Sequence, residues 1–296
     1  METHVDVAVI GGGPAGLSAA LYLGRACKSV AVIDRGHPRH EVASAVHNFL
    51  TRDGLPPAEL RRIAWEQMQP YDVSHLERSV ESLERTADGW TVNTSSGLVS
   101  SRAVLLATGV IDEHPDVDGF SRLWARSLFH CPYCHGWEVR GQRLGVWGKA
   151  AGILHLAPML RGWSDDVVAF VQGELTADER DAMKKLAMPY YESEVVQLVG
   201  EDHLETVKLT SGEVIERDAL FVRSPQRQTE LVLKTGVALD DDGYVIVDES
   251  GATSVLGLWA AGDLISPMQQ VLKSAALGAN AGVMINMSLT LGDGPS

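Results

Sequence analysis

The first run of hydrophobic positions, Val5-Asp6-Val7-Ala8-Val9-Ile10, is short and β-branched and predicts a buried parallel strand. It breaks at Gly11-Gly12-Gly13-Pro14-Ala15-Gly16 and resumes as a helical stretch over residues 17–25. Residues 29–33 supply a second strand that ends in Asp34, residues 46–57 form a loop, and residues 58–69 predict a helix. Residues 90–94 and 98–107 predict strands, the second closing on Ala107-Thr108-Gly109. A strand–helix–strand–helix pattern then starts afresh at residues 143–147, 148–161, 166–171 and 176–188. Residues 195–222 predict strands around a Thr210-Ser211-Gly212-Glu213 turn. Residues 243–247 predict a strand, and Gly257-Leu258-Trp259-Ala260-Ala261-Gly262-Asp263 leads to a helix from about Met268. Two βαβ openings in one chain predict an α/β fold with two Rossmann-like, doubly wound, three-layer nucleotide-binding domains.

The first glycine cluster carries chemistry because of where it stands. Gly11, Gly13 and Gly16 match G-x-G-x-x-G between a strand and a helix. Gly11 makes the tight turn, Gly13 admits a pyrophosphate to the backbone, and Gly16 lets the helix pack closely. The phosphates then lie at the positive end of the helix, and Asp34 is placed for a ribose hydroxyl. Near the other end, the strand closing on Gly262-Asp263 can aim a carboxylate at a ribityl hydroxyl. The helix start around Gln269-Gln270-Val271 can stabilise charge on a reduced flavin.

Composition narrows the class. A chain of 296 residues has room for two domains, and 29 glycines suit repeated strand-to-helix turns. A formal charge of −14 argues against nucleic acid or an anionic membrane as partner. No stretch approaches the roughly 18–20 apolar residues of a spanning helix, and Met1 leads into the first strand without a leader pattern, so the expected location is cytoplasmic. Three cysteines exclude a secreted disulfide framework. Cys27 is expected to be a small buried residue.

The remaining two cysteines stand in His130-Cys131-Pro132-Tyr133-Cys134-His135-Gly136. A C-x-x-C pair in a cytosolic setting points to redox chemistry or metal binding. Adjacent Cys and His ligands in one turn rarely close a tetrahedron, and no second pair has suitable spacing, so no metal site is expected. Trp137 and Trp147 are expected to pack in the core.

Taken together, GGGPAG at 11–16, ATG at 107–109, C-x-x-C at 131–134 and AAGD at 260–263 resemble the low-molecular-weight thioredoxin reductase family over nearly the whole chain. The resemblance implies FAD as cofactor and a homodimer. It also implies a discontinuous FAD domain (1–114 and 241–296) and a nicotinamide-type domain (115–240) that carries the dithiol. The expected flavin contacts are Gly11, Gly13, Pro14, Ala15, Gly16, Asp34, Asn48, Thr108, Gly109, Gly262, Asp263, Gln270 and Val271.

Two departures redirect that expectation. The second phosphate loop reads Gly148-Lys149-Ala150-Ala151-Gly152-Ile153. Ala150 stands at the close-approach glycine and Ile153 at a small-residue position; a Cβ where φ > 0 is needed would cost about 1 kcal/mol and obstruct a pyrophosphate. Val171-Gln172-Gly173-Glu174 follows with no arginine pair for a 2′-phosphate. The second departure is His135, where typical family reductases have aspartate. That form resembles the thioredoxin reductase-like dithiol oxidases of the gliotoxin and holomycin type. It implies oxidation of a small-molecule dithiol to an intramolecular disulfide, with O2 as acceptor and H2O2 as product. In this reading Cys131 and Cys134 rest as a disulfide. Cys131 is attacked by substrate, Cys134 faces the flavin, and His135, titrating near neutral pH, is the base. A disulfide reductase running on NAD(P)H or another donor is the competing expectation, and a non-catalytic flavin-binding redox sensor is a third.

Overall fold

The computed structural model describes residues 2–292, which divide into two compact units. The first comprises Met1–Glu41, Phe49–Ile111 and Arg227–Ser296; the second comprises Val42–Asn48 and Asp112–Gln226. The return to the first unit thus comes at residue 227 rather than 241. Val232 and Val237 explain it: both are buried in one hydrophobic cluster with Ile10, Ala31, Leu106 and Leu264. Met1 and residues 293–296 of the expected terminal segments lie outside the described residues.

In the first unit, six strands run in spatial order β3-β2-β1-β6-β5-β4. They are β1 (Glu2–Ile10), β2 (Val30–Asp34), β3 (Val73–Glu77), β4 (Val80–Thr86), β5 (Gly89–Thr94) and β6 (Gly97–Leu106). β1 is parallel to β2, with Val7 opposite Val30 and Ile10 opposite Ile33, and parallel to β6, with Ile10 opposite Leu106. One edge of β6 serves two partners. Its first half, to Ser101, pairs antiparallel with β5, and from Val104 onward Leu258–Ala260 takes over in parallel. The end of the chain therefore enters the sheet beside the first strands. β3 and β4, the two outer strands, were absent from the sequence expectation because partly exposed edge strands carry few apolar residues.

The helix α1 (Pro14–Arg25) buries Ala15, Gly16, Leu17, Ala19, Ala20, Leu23 and Gly24. A fully buried Leu such as Leu23 is worth about 1.5–3 kcal/mol in transfer free energy. α1 packs against the last helix, Val271–Leu291, and glycine sets their separation. A methyl at Gly278 would lie 1.9 Å from the Ala15 carbonyl oxygen. Between these elements in sequence lies α2 (Pro57–Met68), opened by proline at its first turn, where the missing N–H costs nothing.

The expected strand at 243–247 does not form. Only the isolated bridges Leu239–Val245 and Val247–Thr253 occur there. Asp240 accepts the N–H groups of Asp242 and Tyr244, and Val245 donates to the Leu264 carbonyl at 2.9 Å, so turns consume the donors a ladder needs.

The second unit holds a five-stranded sheet in the order Tyr190–Tyr191, Val167–Val171, Leu144–Gly148, Ala219–Val222, Leu128–Phe129. All its pairings are parallel. The helix Ala150–Leu160 buries Ala150, Ile153, Leu156, Ala157 and Leu160, the spacing of a single face. Thr176 and Glu179 cap the helix Ala177–Lys185 reciprocally. An antiparallel sheet of Val195–Val199, Thr206–Leu209 and Val214–Glu216 completes this unit. The α/β expectation with Rossmann-type sheets holds.

Candidate active site

The first unit gathers most of the expected flavin contacts at the carboxyl ends of its parallel strands. Gly11 (φ +110°) ends β1, and a Cβ there would stand 2.3 Å from the Ala107 carbonyl oxygen, so the two turns touch through backbone. At Gly16 a Cβ would meet the Gly11 oxygen at 1.9 Å, which enforces the close helix approach. Gly13 differs: nothing lies within 4 Å of its Cβ position, leaving the backbone open to a ligand. Pro14 opens α1, and no acid occupies the helix's first turn. Such a cradle suits a pyrophosphate. Thr108 and Gly109 (φ +65°) follow β6. Gly262 (φ +96°) packs its backbone on Ala15.

The two carboxylates are already oriented. Asp34 accepts the Gly12 N–H on Oδ2 at 2.5 Å and the Gly36 N–H on Oδ1 at 2.6 Å. Asp263 accepts Ser274 Oγ on Oδ1 at 2.7 Å and Arg39 Nη1 on Oδ2 at 3.0 Å. Arg39 also donates to Gln269 Oε1 at 2.6 Å. Sequence reasoning found both acids but missed Arg39, which is 224 positions from Asp263. The last helix begins at Val271 with Gln270 as its cap, three residues after the expected start. These residues fit FAD: an open backbone for the diphosphate, an acid for the ribose, and a second acid for the ribityl chain.

Asn48, the remaining expected flavin contact, belongs to the second unit; its backbone is left-handed (φ +63°), and its Nδ2 donates to the Tyr133 carbonyl in the dithiol turn at 2.6 Å.

In that second unit Cys131 caps a single helical turn, Pro132–His135, in extended conformation. Cys134 N–H returns to the Cys131 carbonyl at 3.1 Å. Both cysteines are of intermediate exposure, within reach of a small molecule. Gly136 is required by packing: a Cβ there would meet the Pro132 oxygen at 2.6 Å and the Trp163 ring at 2.9 Å. Tyr133 stands edge-on to Trp163, with centroids 5.6 Å apart. Trp137 does not pack in the core as expected. It is 65% exposed, and the Arg140 guanidinium lies 3.9 Å over its ring. Trp147 is buried, as expected.

His135 departs from expectation in its chemistry. Its ring stacks on Phe129, with centroids 4.4 Å apart, and neither ring nitrogen has a hydrogen-bond partner. Burial pushes its pKa down to about 4; Glu138 opposes that shift and His47 adds to it. It is a neutral imidazole at physiological pH, not a group titrating near neutrality. The motif could not show this, because the depression comes from Phe129 and the surrounding packing. His47 and Glu138, both missed in the sequence, pair at 3.5 Å between Nε2 and Oε1. The His47 ring lies 6.4 Å from that of His135, and His130 is half-buried.

The second phosphate loop also differs in detail. Lys149 caps the helix Ala150–Leu160, and Ala150 is helical rather than left-handed, so the strain expected there is absent. Ile153 is wholly buried in the core cluster beneath the sheet and does not project into the loop. Ala150 is buried in the same cluster, so neither side chain projects into the loop, and the Arg223 side chain lies 3.5 Å from the Cβ position of Gly152. Among the described residues no cluster of His, Cys, Asp and Glu could hold a metal ion, and no helix is long and apolar enough to cross a membrane.

Known proteins share this arrangement. The crystal structure of HlmI superposes with a TM-score of 0.91 at 38% identity, covering 97% of this chain and 92% of that one. The putative thioredoxin reductase TrxB from Bacillus anthracis gives a TM-score of 0.90 at 32% identity, with 97% and 98% covered. Thioredoxin reductase sirT from Leptosphaeria maculans is 31% identical over 311 residues, 95% of this chain and 93% of its own. Thioredoxin reductase tcpT from Claviceps purpurea is 31% identical over 302 residues, with 96% and 94% covered. The sequence profile of pyridine nucleotide-disulphide oxidoreductases matches residues 5–156 and 160–282. With an FAD cradle in one unit and a C-x-x-C turn in the other, the chain belongs to the pyridine nucleotide-disulphide oxidoreductase family and is a thioredoxin reductase-like, FAD-binding thiol–disulfide oxidoreductase.

Proposed function

We propose that the enzyme oxidises a small-molecule dithiol to an intramolecular disulfide. The observation that carries this reading is the combination of a complete first cradle with an altered second one. Gly13 of the first loop is open to a ligand, while the second loop carries Ala150 at the close-approach glycine position, and residues 171–174 after the next strand offer no arginine pair for a 2′-phosphate. Electrons then enter at sulfur. In the oxidised enzyme a substrate thiolate attacks Cys131 of the Cys131–Cys134 disulfide, releasing the Cys134 thiolate. The second substrate thiolate attacks the mixed disulfide and leaves as a cyclic disulfide, so the substrate loses two electrons and two protons and the pair becomes a dithiol. FAD held by the first unit's cradle would supply the two-electron acceptor that restores the pair, with O2 as the final acceptor and H2O2 as the product. The enzyme would act as a cytoplasmic homodimer.

The proton acceptor in that exchange is His47 rather than His135. Passing a proton from an ordinary thiol, pKa about 8.5, to a group near 4 is uphill by about 6 kcal/mol. His47 has Glu138 at 3.5 Å to balance an acquired charge, and its neighbour Asn48 binds the turn between the cysteines. Exposed Tyr133 and Trp137 beside the thiols suit an apolar substrate.

The test is oxygen uptake with reduced dithiothreitol. Peroxide should appear in a one-to-one ratio with oxygen consumed, with no requirement for NADH or NADPH. The names of the sirT and tcpT relatives favour a second reading, a disulfide reductase. It predicts negligible oxygen uptake with dithiol and rapid disulfide reduction with NADPH.

A further inference from the structure

Asp34 is held by more than the backbone of the glycine loop. Beyond the Gly12 and Gly36 N–H groups, Oδ1 accepts Arg61 Nη2 at 3.1 Å. Arg61 Nη1 reaches the Gly36 carbonyl at 2.9 Å, so a single guanidinium from α2 ties together the residues that end and follow β2. Both side chains are largely buried, with 17% exposure for Arg61 and 13% for Asp34.

Counting acceptor positions shows what this arrangement does. An ionised carboxylate offers about four lone-pair positions, two on each oxygen. Gly36 and Arg61 fill Oδ1, and Gly12 takes one on Oδ2. The position left over is on Oδ2, the oxygen that faces the glycine loop. Gly12 itself must lack a side chain for this, since a Cβ would stand 2.9 Å from Asp34 Cγ. Without Arg61, Oδ1 would keep an open position and the carboxylate would lose one of the contacts that fix its rotamer. Its full charge would also stand uncompensated near a bound diphosphate.

We propose that Arg61 is a positioning residue for the adenosine half of FAD: it fixes Asp34 with Oδ2 toward the cofactor and cancels its charge. Its effect on the cofactor runs through Asp34, because Gly36, its other partner, is itself bonded to Asp34 Oδ1, and the test exploits that. The full-length chain, stripped of flavin, is titrated with FAD by flavin fluorescence, as wild type, Arg61→Met, Arg61→Lys, Asp34→Asn and the double variant Asp34→Asn with Arg61→Met. Circular dichroism confirms that each is folded. Arg61→Met should weaken FAD binding about tenfold or more, as loss of a charge-assisted contact does. Arg61→Lys should restore part of the loss, since it keeps the charge without the fork. In the Asp34→Asn background the same Arg61→Met change should alter affinity less than twofold. Unchanged affinity in Arg61→Met would overturn the proposal. So would an equal loss in both backgrounds, which would mark Arg61 as a support of α2 alone. The inference rests on FAD as cofactor; a wild-type chain that failed to bind FAD would overturn both at once.

Discussion

Replacing His135 by phenylalanine keeps a flat ring against Phe129 and removes one buried titratable group. In the unfolded chain this histidine takes a proton near pH 6.5, whereas in the fold burial holds its pKa down to about 4. The unfolded state therefore binds more protons between those values, and stability falls as pH drops through that window. Above about pH 6.5 the penalty is absent, and below pH 4 it reaches its full size, about 3 kcal/mol. At pH 5 the same linkage gives about 2 kcal/mol, a substantial share of an ordinary folding free energy. Urea unfolding at pH 7.5 and pH 5 should show His135→Phe losing about 2 kcal/mol less than the wild type on acidification. Identical acid sensitivity in the two proteins would refute the argument and return His135 to the near-neutral range. The kinetic counterpart is that His47→Gln lowers kcat/KM with dithiothreitol, and less so with a more acidic dithiol that depends less on a base. An equal loss with both dithiols would show that His47 supports the turn rather than receives the proton.

Other expectations follow from single residues. Cys131→Ser and Cys134→Ser should each abolish oxygen-coupled turnover of dithiol while leaving FAD bound; measurable turnover in both would break the proposed sulfur path. Gly278→Ala inserts a methyl 1.9 Å from the Ala15 carbonyl oxygen, so it should cost about 3 kcal/mol in thermal or urea unfolding. Cys27→Gly should raise stability by about 0.5–1 kcal/mol, because Cys27 sits at φ +59° after α1, where glycine carries no Cβ penalty. In the native protein Cys27 should also react readily with a thiol reagent, being exposed.

That exposed cysteine shows where the sequence stops being readable. The turn after α1 needs a left-handed residue, and glycine would have announced it; cysteine there looked like core. The glycine cluster at 11–16, by contrast, was legible because each glycine answers a steric demand that recurs in any strand–loop–helix phosphate site. Asp34 and Asp263 were legible for the same reason, but the arginines that hold them were not, since no local pattern links Arg39 to position 263 or Arg61 to position 34. The degraded second loop was visible in outline. Its expected strain was not realised because Ala150 simply joins the helix. Around the dithiol, motif spacing identified the thiols, yet His47 and Trp163 come from distant stretches, and Glu138, though next to the motif, shows its pairing only when His47 packs against it. Trp137 illustrates the same limit: an indole that reads as core lies on the surface beneath Arg140.

The direction of electron flow is decided most directly by anaerobic rapid mixing of the flavin-loaded enzyme, followed at the flavin absorbance. With excess reduced dithiothreitol the yellow absorbance should bleach within the turnover time, and with NADH or NADPH at equal concentration it should persist. Prompt bleaching by a nicotinamide, with none by the dithiol, would contradict the account.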